Sequence, residues 1–393
     1  MILDKLFQLM AEKQASDIFI SAGVPIHIKI QGNTIPVNQQ VMDPAMIEKI
    51  AHELMSPDQL KTFEATMEMN LSFGVPNIGN FRINLFRQRA SISIVVRYIL
   101  GNIPALNTLA LPPVLADLIM EKRGLILIVG ATGSGKSTTI ASMLDHRNMN
   151  RSGHILTIED PIEFLFRHKK SIVNQRELGM DTLDWNSALK NAMRQAPDCI
   201  LIGEIRDRET MQAAIAYAQT GHLCLATLHA NNSYHALNRV INFFPLENRT
   251  SLYLDLAASL KGIISQRLVK KPDGKRTPAA EVLLNTRHIQ ELIESGEILA
   301  IKEAMEQSLA PGSQTFEQDL FRLYREGIIT LDEALGNADS PTNLSWLINN
   351  SEITSNSQKE QARADTPLDF GEITDSGTSF KEFSLSLDDE PES

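Results

Sequence analysis

The residues of this chain best suited to chemistry are Gly130-Ala131-Thr132-Gly133-Ser134-Gly135-Lys136-Ser137-Thr138. They fit the pattern GxxxxGK[ST]. Glycines let the backbone N–H groups turn inward around phosphate oxygens, and a helix starting at such a loop adds its positive end. Lys136 then brings a charge to the β- and γ-phosphates, and the Ser137 hydroxyl suits Mg²⁺. The pattern also arises by chance, so its flanks matter. Here an apolar run at 125–129 precedes it and a helix-compatible run at 137–144 follows. Strand, loop and helix in that order predict a nucleotide site.

Four further groups are candidates. Asp198-Cys-Ile-Leu-Ile-Gly203-Glu204-Ile-Arg206-Asp207 is an apolar strand ending in an acid. Beside a phosphate loop, Glu204 is placed to meet Mg²⁺ or its water shell, and Gly203 to allow close approach to phosphate. Thr157-Ile-Glu159-Asp160-Pro161-Ile-Glu163 carries three acids in five residues. Pro161 fixes the turn, so Asp160 and Glu163 can project into one space. Such a carboxylate orients or deprotonates a water, or it decorates a charged surface turn; spacing alone does not choose. His222 and His229 flank the apolar run at 223–228. A histidine there can sense phosphate or a neighbouring subunit, although a satisfied structural histidine is the more usual outcome. Arg82, Arg87, Arg89 and Arg97 offer forks that match phosphate, or form the basic face of a small sheet.

These groups need a scaffold. Residues 1–100 read as a small α+β domain. Helical spacing runs through 2–15, and strand alternation with a Gly23–Pro25 turn through 17–30. Two helices at 44–67 break at Ser56-Pro57, where Ser56 can cap the second. A β-hairpin at 80–100 puts Arg82 on the face opposite Phe81 and Ile83. Residues 101–113 are a linker, with Pro104, Pro112 and Pro113. From 114 to 350, short apolar runs at 125–129, 155–158, 199–202 and 223–228 alternate with helices. That predicts an α/β domain with a mostly parallel sheet covered on both faces.

The chain has 393 residues, 43% hydrophobic, with a net charge of −11. The charge argues against a nucleic-acid partner. Residues 351–393 hold eleven acids and three bases and read as a disordered acidic tail. Cys199 and Cys224 lie in apolar runs, as buried thiols would, and no CxxC pair suggests zinc. Neither a leader sequence nor a membrane-length apolar run is apparent.

Taken in order, the phosphate loop, the Thr-Ile-Glu-Asp-Pro-Ile-Glu box, the Ile-Gly-Glu-Ile-Arg-Asp strand end and the Gly-His…Thr-Leu-His box resemble the secretion-superfamily ATPases. The resemblance spans about residues 1–345. Within that superfamily the chain is similar to the type IV pilus retraction ATPases, the PilT/PilU group. Its N-terminal part is short, a tetracysteine insert is missing, and Gln314-Thr-Phe-Glu-Gln-Asp-Leu and Ile329-Thr-Leu-Asp-Glu-Ala-Leu match. One box departs. Where the retraction motor carries two arginines, His288-Ile-Gln290-Glu-Leu-Ile-Glu294-Ser has Gln290 and Glu294. With the acidic tail, this resembles the accessory, PilU-type branch.

The resemblance implies a PAS-like N-terminal domain, a RecA-like ATPase domain and a homohexameric ring using ATP and Mg²⁺. It implies nucleotide contacts from 130–138, Arg82 and Arg97, and metal contacts from Ser137, Glu204 and Glu163. Catalytic roles follow for Lys136, Glu163, Glu204, His222 and His229. The implied partners are a paralogous retraction ATPase and an inner-membrane platform protein. The implied location is cytoplasmic, peripheral at the inner membrane without direct insertion.

Overall fold

The computed structural model describes residues 2–30, 32–76, 78–99 and 101–350. The segment 351–393, expected to be a disordered tail, lies outside the described residues. The described residues up to Leu344 form one compact unit. Among the described residues the strands make two sheets.

The first sheet arises from α1 (Ile2–Lys13), β1 (Asp17–Ile20), β2 (Pro25–Ile30), β3 (Asn33–Val41), α2 (Pro44–Leu54), α3 (Pro57–Thr66), β4 (Glu68–Val75), β5 (Gly79–Gln88) and β6 (Ser91–Ile99). It is antiparallel, in the order β3-β2-β1-β6-β5-β4. Period-two alternation in β5 sends Phe81, Ile83 and Leu85 into the core. They meet Phe7 and Met10 from α1 and Ile47 and Ile50 from α2. Arg82 faces the other side. Ser56 caps α3 reciprocally with Gln59, as its sequence suggested. β3 and β4 were not legible. β3 is an exposed edge rich in Asn and Gln, and only Leu71 of β4 is buried.

The second sheet is built from α4 (Val114–Met120), β7 (Gly124–Val129), α5 (Lys136–Asn150), β8 (Gly153–Glu159), β9 (Ser171–Glu177), α6 (Trp185–Ala192), β10 (Cys199–Ile202), α7 (Arg208–Gln219), β11 (Leu223–Leu228), α8 (Ser233–Asn242), α9 (Arg249–Ser259), β12 (Leu260–Lys270) and β13 (Arg276–Leu284). Helices α10 (Arg287–Ser295), α11 (Ile301–Glu306), α12 (Phe316–Arg325) and α13 (Leu331–Asn337) follow. The order is β13-β12-β7-β11-β10-β8-β9, parallel except for the β12–β13 pair. Successive residues of β7 feed opposite cores. Leu125, Leu127 and Val129 join the α7–α9 side, and Ile126 and Ile128 join the α4–α5 side. This explains the uninterrupted apolar runs in the sequence. Cys199 and Cys224 are buried free thiols on neighbouring strands. The expected α/β class, with a smaller α+β part first, holds. β9, β12 and β13 escaped the sequence because polar residues interrupt them. No helix among the described residues is long and apolar enough to cross a membrane.

Candidate active site

The parallel strands β7, β8, β10 and β11 all end at the same edge, where loops of an α/β sheet form a crevice. A cleft of about 240 Å³ lies there. Its walls bring together Lys136 and Ser137, the acids Glu159, Asp160, Glu163 and Glu204, and His229. These come from four separate sequence motifs.

The phosphate loop leaves β7 and enters α5 through Gly135, whose φ of +91° favours glycine. No side chain caps α5. Its first-turn N–H groups are thus left for a ligand. Gly130 and Gly135 are also packing requirements. A Cβ on Gly130 would come within 2.5 Å of the Gln266 carbonyl and of Ser134 Oγ, and one on Gly135 within 2.7 Å of Gln266 Nε2. Gly133, by contrast, has open space around it, with φ at +77°. Ser134 Oγ is buried without a hydrogen-bond partner. Lys136 Nζ donates to the carbonyls of Gly130 at 2.8 Å and Ala131 at 2.9 Å. Burial lowers its pKa, while Glu204 and Glu163 act to raise it. Thr132 lines the cleft, and Thr138 sits half-buried on the first turn of α5.

The acids form a linked set. Glu204 Oε2 accepts from Arg206 Nε at 2.7 Å, and its Oε1 lies 3.3 Å from His229 Nε2. Arg206 Nη1 also lies 3.4 Å from Asp160 Oδ2. Glu163 is exposed at the cleft wall, after a cis Asp160–Pro161 bond. Glu159 differs from the rest. Desolvation pushes its carboxyl up to about 7, against hydrogen bonds from Thr157 Oγ1 at 2.6 Å and Gln175 Nε2 at 3.2 Å. A carboxyl poised near neutrality is what proton transfer needs. Sequence spacing drew attention to Asp160 and Glu163 instead, because burial of Glu159 depends on β9, which was not foreseen.

Other expectations need correction. His222 lies at the start of β11, six residues before the cleft end, or about 20 Å at strand rise. There its ring meets Thr220 and the Tyr217 carbonyl. A parallel strand carries its two ends to opposite edges of the sheet, so a catalytic role for His222 in this cleft does not hold. Gly203 lines the cleft, and it also has a packing role: its missing Cβ would stand 3.0 Å from the Ile158 carbonyl and 3.1 Å from Glu159 Cα, so glycine there lets β10 approach β8. Arg82 and Arg97 are cross-strand neighbours, but neither lines the cleft. Arg82 Nη2 donates to Glu177 Oε2 at 2.7 Å and lies 3.4 Å from the Ile162 carbonyl, between cleft residues Pro161 and Glu163. Arg97 Nε donates to buried Asp17, with its side chain 65% exposed. Both arginines are therefore engaged with carboxylates and stand outside the cleft lining.

Gln266 went unnoticed in the sequence. It accepts from Thr139 Oγ1 at 2.6 Å and backs the phosphate loop. Its signal was the polar run Ser265-Gln266-Arg267 inside an apolar strand. Among the described residues, no group of three or more His, Cys, Asp or Glu is arranged to hold a metal alone. Ser137, Glu204 and Glu163 are oxygen donors of the kind Mg²⁺ takes alongside substrate phosphates.

Residues 1–292 match the family described as type II/IV secretion system protein. The type IV pilus ATPase PilU of Pseudomonas aeruginosa is 47% identical, over 88% of this chain and 91% of its own length. The type IV pilus retraction ATPase PilT of the same organism is 38% identical, over 87% of this chain and 100% of its own. A crystal structure of the pilus retraction motor PilT with bound ADP superposes with a TM-score of 0.81 at 40% identity, covering 87% of this chain and 98% of that one.

Proposed function

This chain belongs to the type II/IV secretion system protein family, and from that premise we propose that it is an ATP-hydrolysing motor of type IV pilus retraction. One observation carries the proposal. An uncapped helix start, Lys136, Ser137 and four acids meet in one cleft. The uncapped N–H groups and the Lys136 ammonium fit phosphate oxygens.

In this proposal Lys136 leaves the loop carbonyls and moves onto the β- and γ-phosphates. Ser137 and Glu204 would hold Mg²⁺, and the ion would supply charge neutralisation for the phosphates. Glu163 and Glu159 face the γ-phosphate side, where a carboxylate orients the attacking water and takes its proton. His229 keeps Glu204 aimed. Arg82 acts through the acidic turn, by holding the Ile162 carbonyl and Glu177. Release of that contact on turnover would change the angle between the two sheets, and so deliver work. The chain assembles as a homohexamer at the cytoplasmic face of the inner membrane, bound to the pilus platform protein.

The accessory form of this function is favoured by α10. Gln290 Nε2 donates to Glu294 Oε1 at 2.9 Å, so the two residues standing in place of arginines bond each other. That helix face offers a partner no paired positive charge, and the chain would act with a paralogous retraction ATPase. ATPase activity and pilus retraction of wild type and Lys136→Ala, each with and without that paralog, test both points. Lys136→Ala is expected to lose ATPase activity by at least about a hundredfold, the scale of a lost charge clamp. Full activity in Lys136→Ala would end the catalytic proposal, and retraction by wild type alone would end the accessory one.

A further inference from the structure

Two loops of the cleft are fastened, from outside it, to one carboxylate near the end of the compact unit. Asp339 follows α13 and lines no part of the cleft. Its Oδ2 accepts from Asn232 Nδ2 at 2.7 Å, and its Oδ1 pairs with the Arg267 guanidinium. Asn232 caps α8, three residues beyond His229. The first fastening therefore reaches the loop that aims Glu204.

The second runs through β12. Arg267 also donates to the carbonyls of Asn231 and Asn337, and its guanidinium stacks 4.0 Å from the Phe316 ring centre. The preceding residue, Gln266, is only 3% exposed and points the opposite way. It holds Thr139 and packs against Gly130 and Gly135. One dipeptide thus grips the phosphate loop on one face of the sheet and the C-terminal segment on the other. Gln266 and Arg267 directly follow the last β12–β7 pair, Ser265–Val129, and are themselves paired with Ala280 and Ala279 of β13, so a shift at one side chain is passed along a hydrogen-bonded backbone to the other.

We propose that Asp339 is a positioning residue for nucleotide binding, holding the phosphate loop through Arg267–Gln266 and the histidine loop through Asn232. This rests on the cleft binding nucleotide, as proposed above, but not on hydrolysis. The segment around Asp339 is consequently a handle on the cleft, able to alter nucleotide affinity without touching nucleotide.

The test uses the full chain, with ADP binding by calorimetry and ATP turnover as separate readouts. Asp339→Ala is expected to raise the ADP Kd and the ATP KM about fivefold, the low end of energetic coupling between sites, with a smaller change in kcat. Asp339→Asn, which keeps the shape and the Asn232 bond, should fall between it and wild type. Gln266→Leu should weaken ADP binding by a similar factor, and Gln266→Leu with Asp339→Ala by less than the product of the two. Unchanged ADP affinity in folded Asp339→Ala overturns the proposal, and so does a strictly multiplicative double variant. If wild type binds ADP but turns over no ATP, the hydrolytic function fails while this proposal is still tested by binding.

Discussion

Glu159 allows the sharpest test of how this cleft handles protons. Burial raises its carboxyl to about 7, and the Thr157 hydroxyl at 2.6 Å opposes that rise. Acting as a base, it must be ionised, so kcat/KM should climb with pH through about 7. The kcat/KM profile reports the free enzyme, the state of this structure. Thr157→Val removes a hydrogen bond to the charged form, roughly 1.5–3 kcal/mol. At about 1.4 kcal/mol per pH unit, the ascending limb should move up by about one to two units. Glu159→Gln should remove the limb along with most activity. Stability gives an independent sign. A carboxyl whose folded pKa lies above its unfolded value binds more protons when folded across that window. Stability is therefore lost as pH rises from about 4.5 to about 7, on the order of 3 kcal/mol in all. Glu159→Gln should accordingly melt higher than wild type at pH 8 and no higher at pH 4. Stopped assays from pH 5 to 9 and melting curves at the two extremes decide it. An ascending limb near pH 4.5 that Thr157→Val leaves in place would refute the reasoning.

Two further variants probe His222 and Gly203. His222→Ala should leave kcat/KM within about twofold, because its ring meets Thr220 and the Tyr217 carbonyl at the sheet edge away from the cleft; a hundredfold loss in a steady-state ATPase assay would put His222 back in the site. Gly203→Ala should cost about 1–3 kcal/mol in chemical denaturation, since its Cβ meets the β8 backbone at 3.0 Å. It should also weaken catalysis by shifting Glu204 and Glu159 together, and a variant as stable as wild type would show that the strands have slack.

The sequence was informative wherever a residue's role follows from its own neighbours. The phosphate loop needs only strand, glycines and helix in succession, and all three were visible. The buried strands β7, β8, β10 and β11 were equally plain, because a sheet covered on both faces demands apolar residues at every position. What stayed hidden depended on distant partners. Glu159 looks like its neighbours Asp160 and Glu163 until Gln175 of β9 is laid beside it. Gln266 reads as an oddity until Thr139, 127 residues earlier, donates to it. His222 misled because two histidines around one strand look equivalent in sequence, whereas a parallel strand separates them by its whole length. The packing role of Gly203 was hidden for a related reason: only the sheet register reveals β8 behind it.

The arginines of the first sheet were recognised by type but not by target, and their placement says how the two sheets communicate. Arg82 and Arg97 sit in register on adjacent strands, facing the same way. Like charges so close repel unless each has an acid. Asp17 answers Arg97 within the first sheet, and Glu177 answers Arg82 from the second. Only the second pairing crosses between sheets, and it is the less exposed, at 16% and 9% for the two side chains. Glu177 Oε2 also accepts from the Ile162 N–H at 3.1 Å, so one oxygen holds both the arginine and the acidic turn. Withdrawing Arg82 would leave Glu177 desolvated and the turn bearing Glu163 less firmly held. A rigid-body shift of the first sheet therefore reaches the cleft through the Glu163 turn, without an arginine having to touch phosphate.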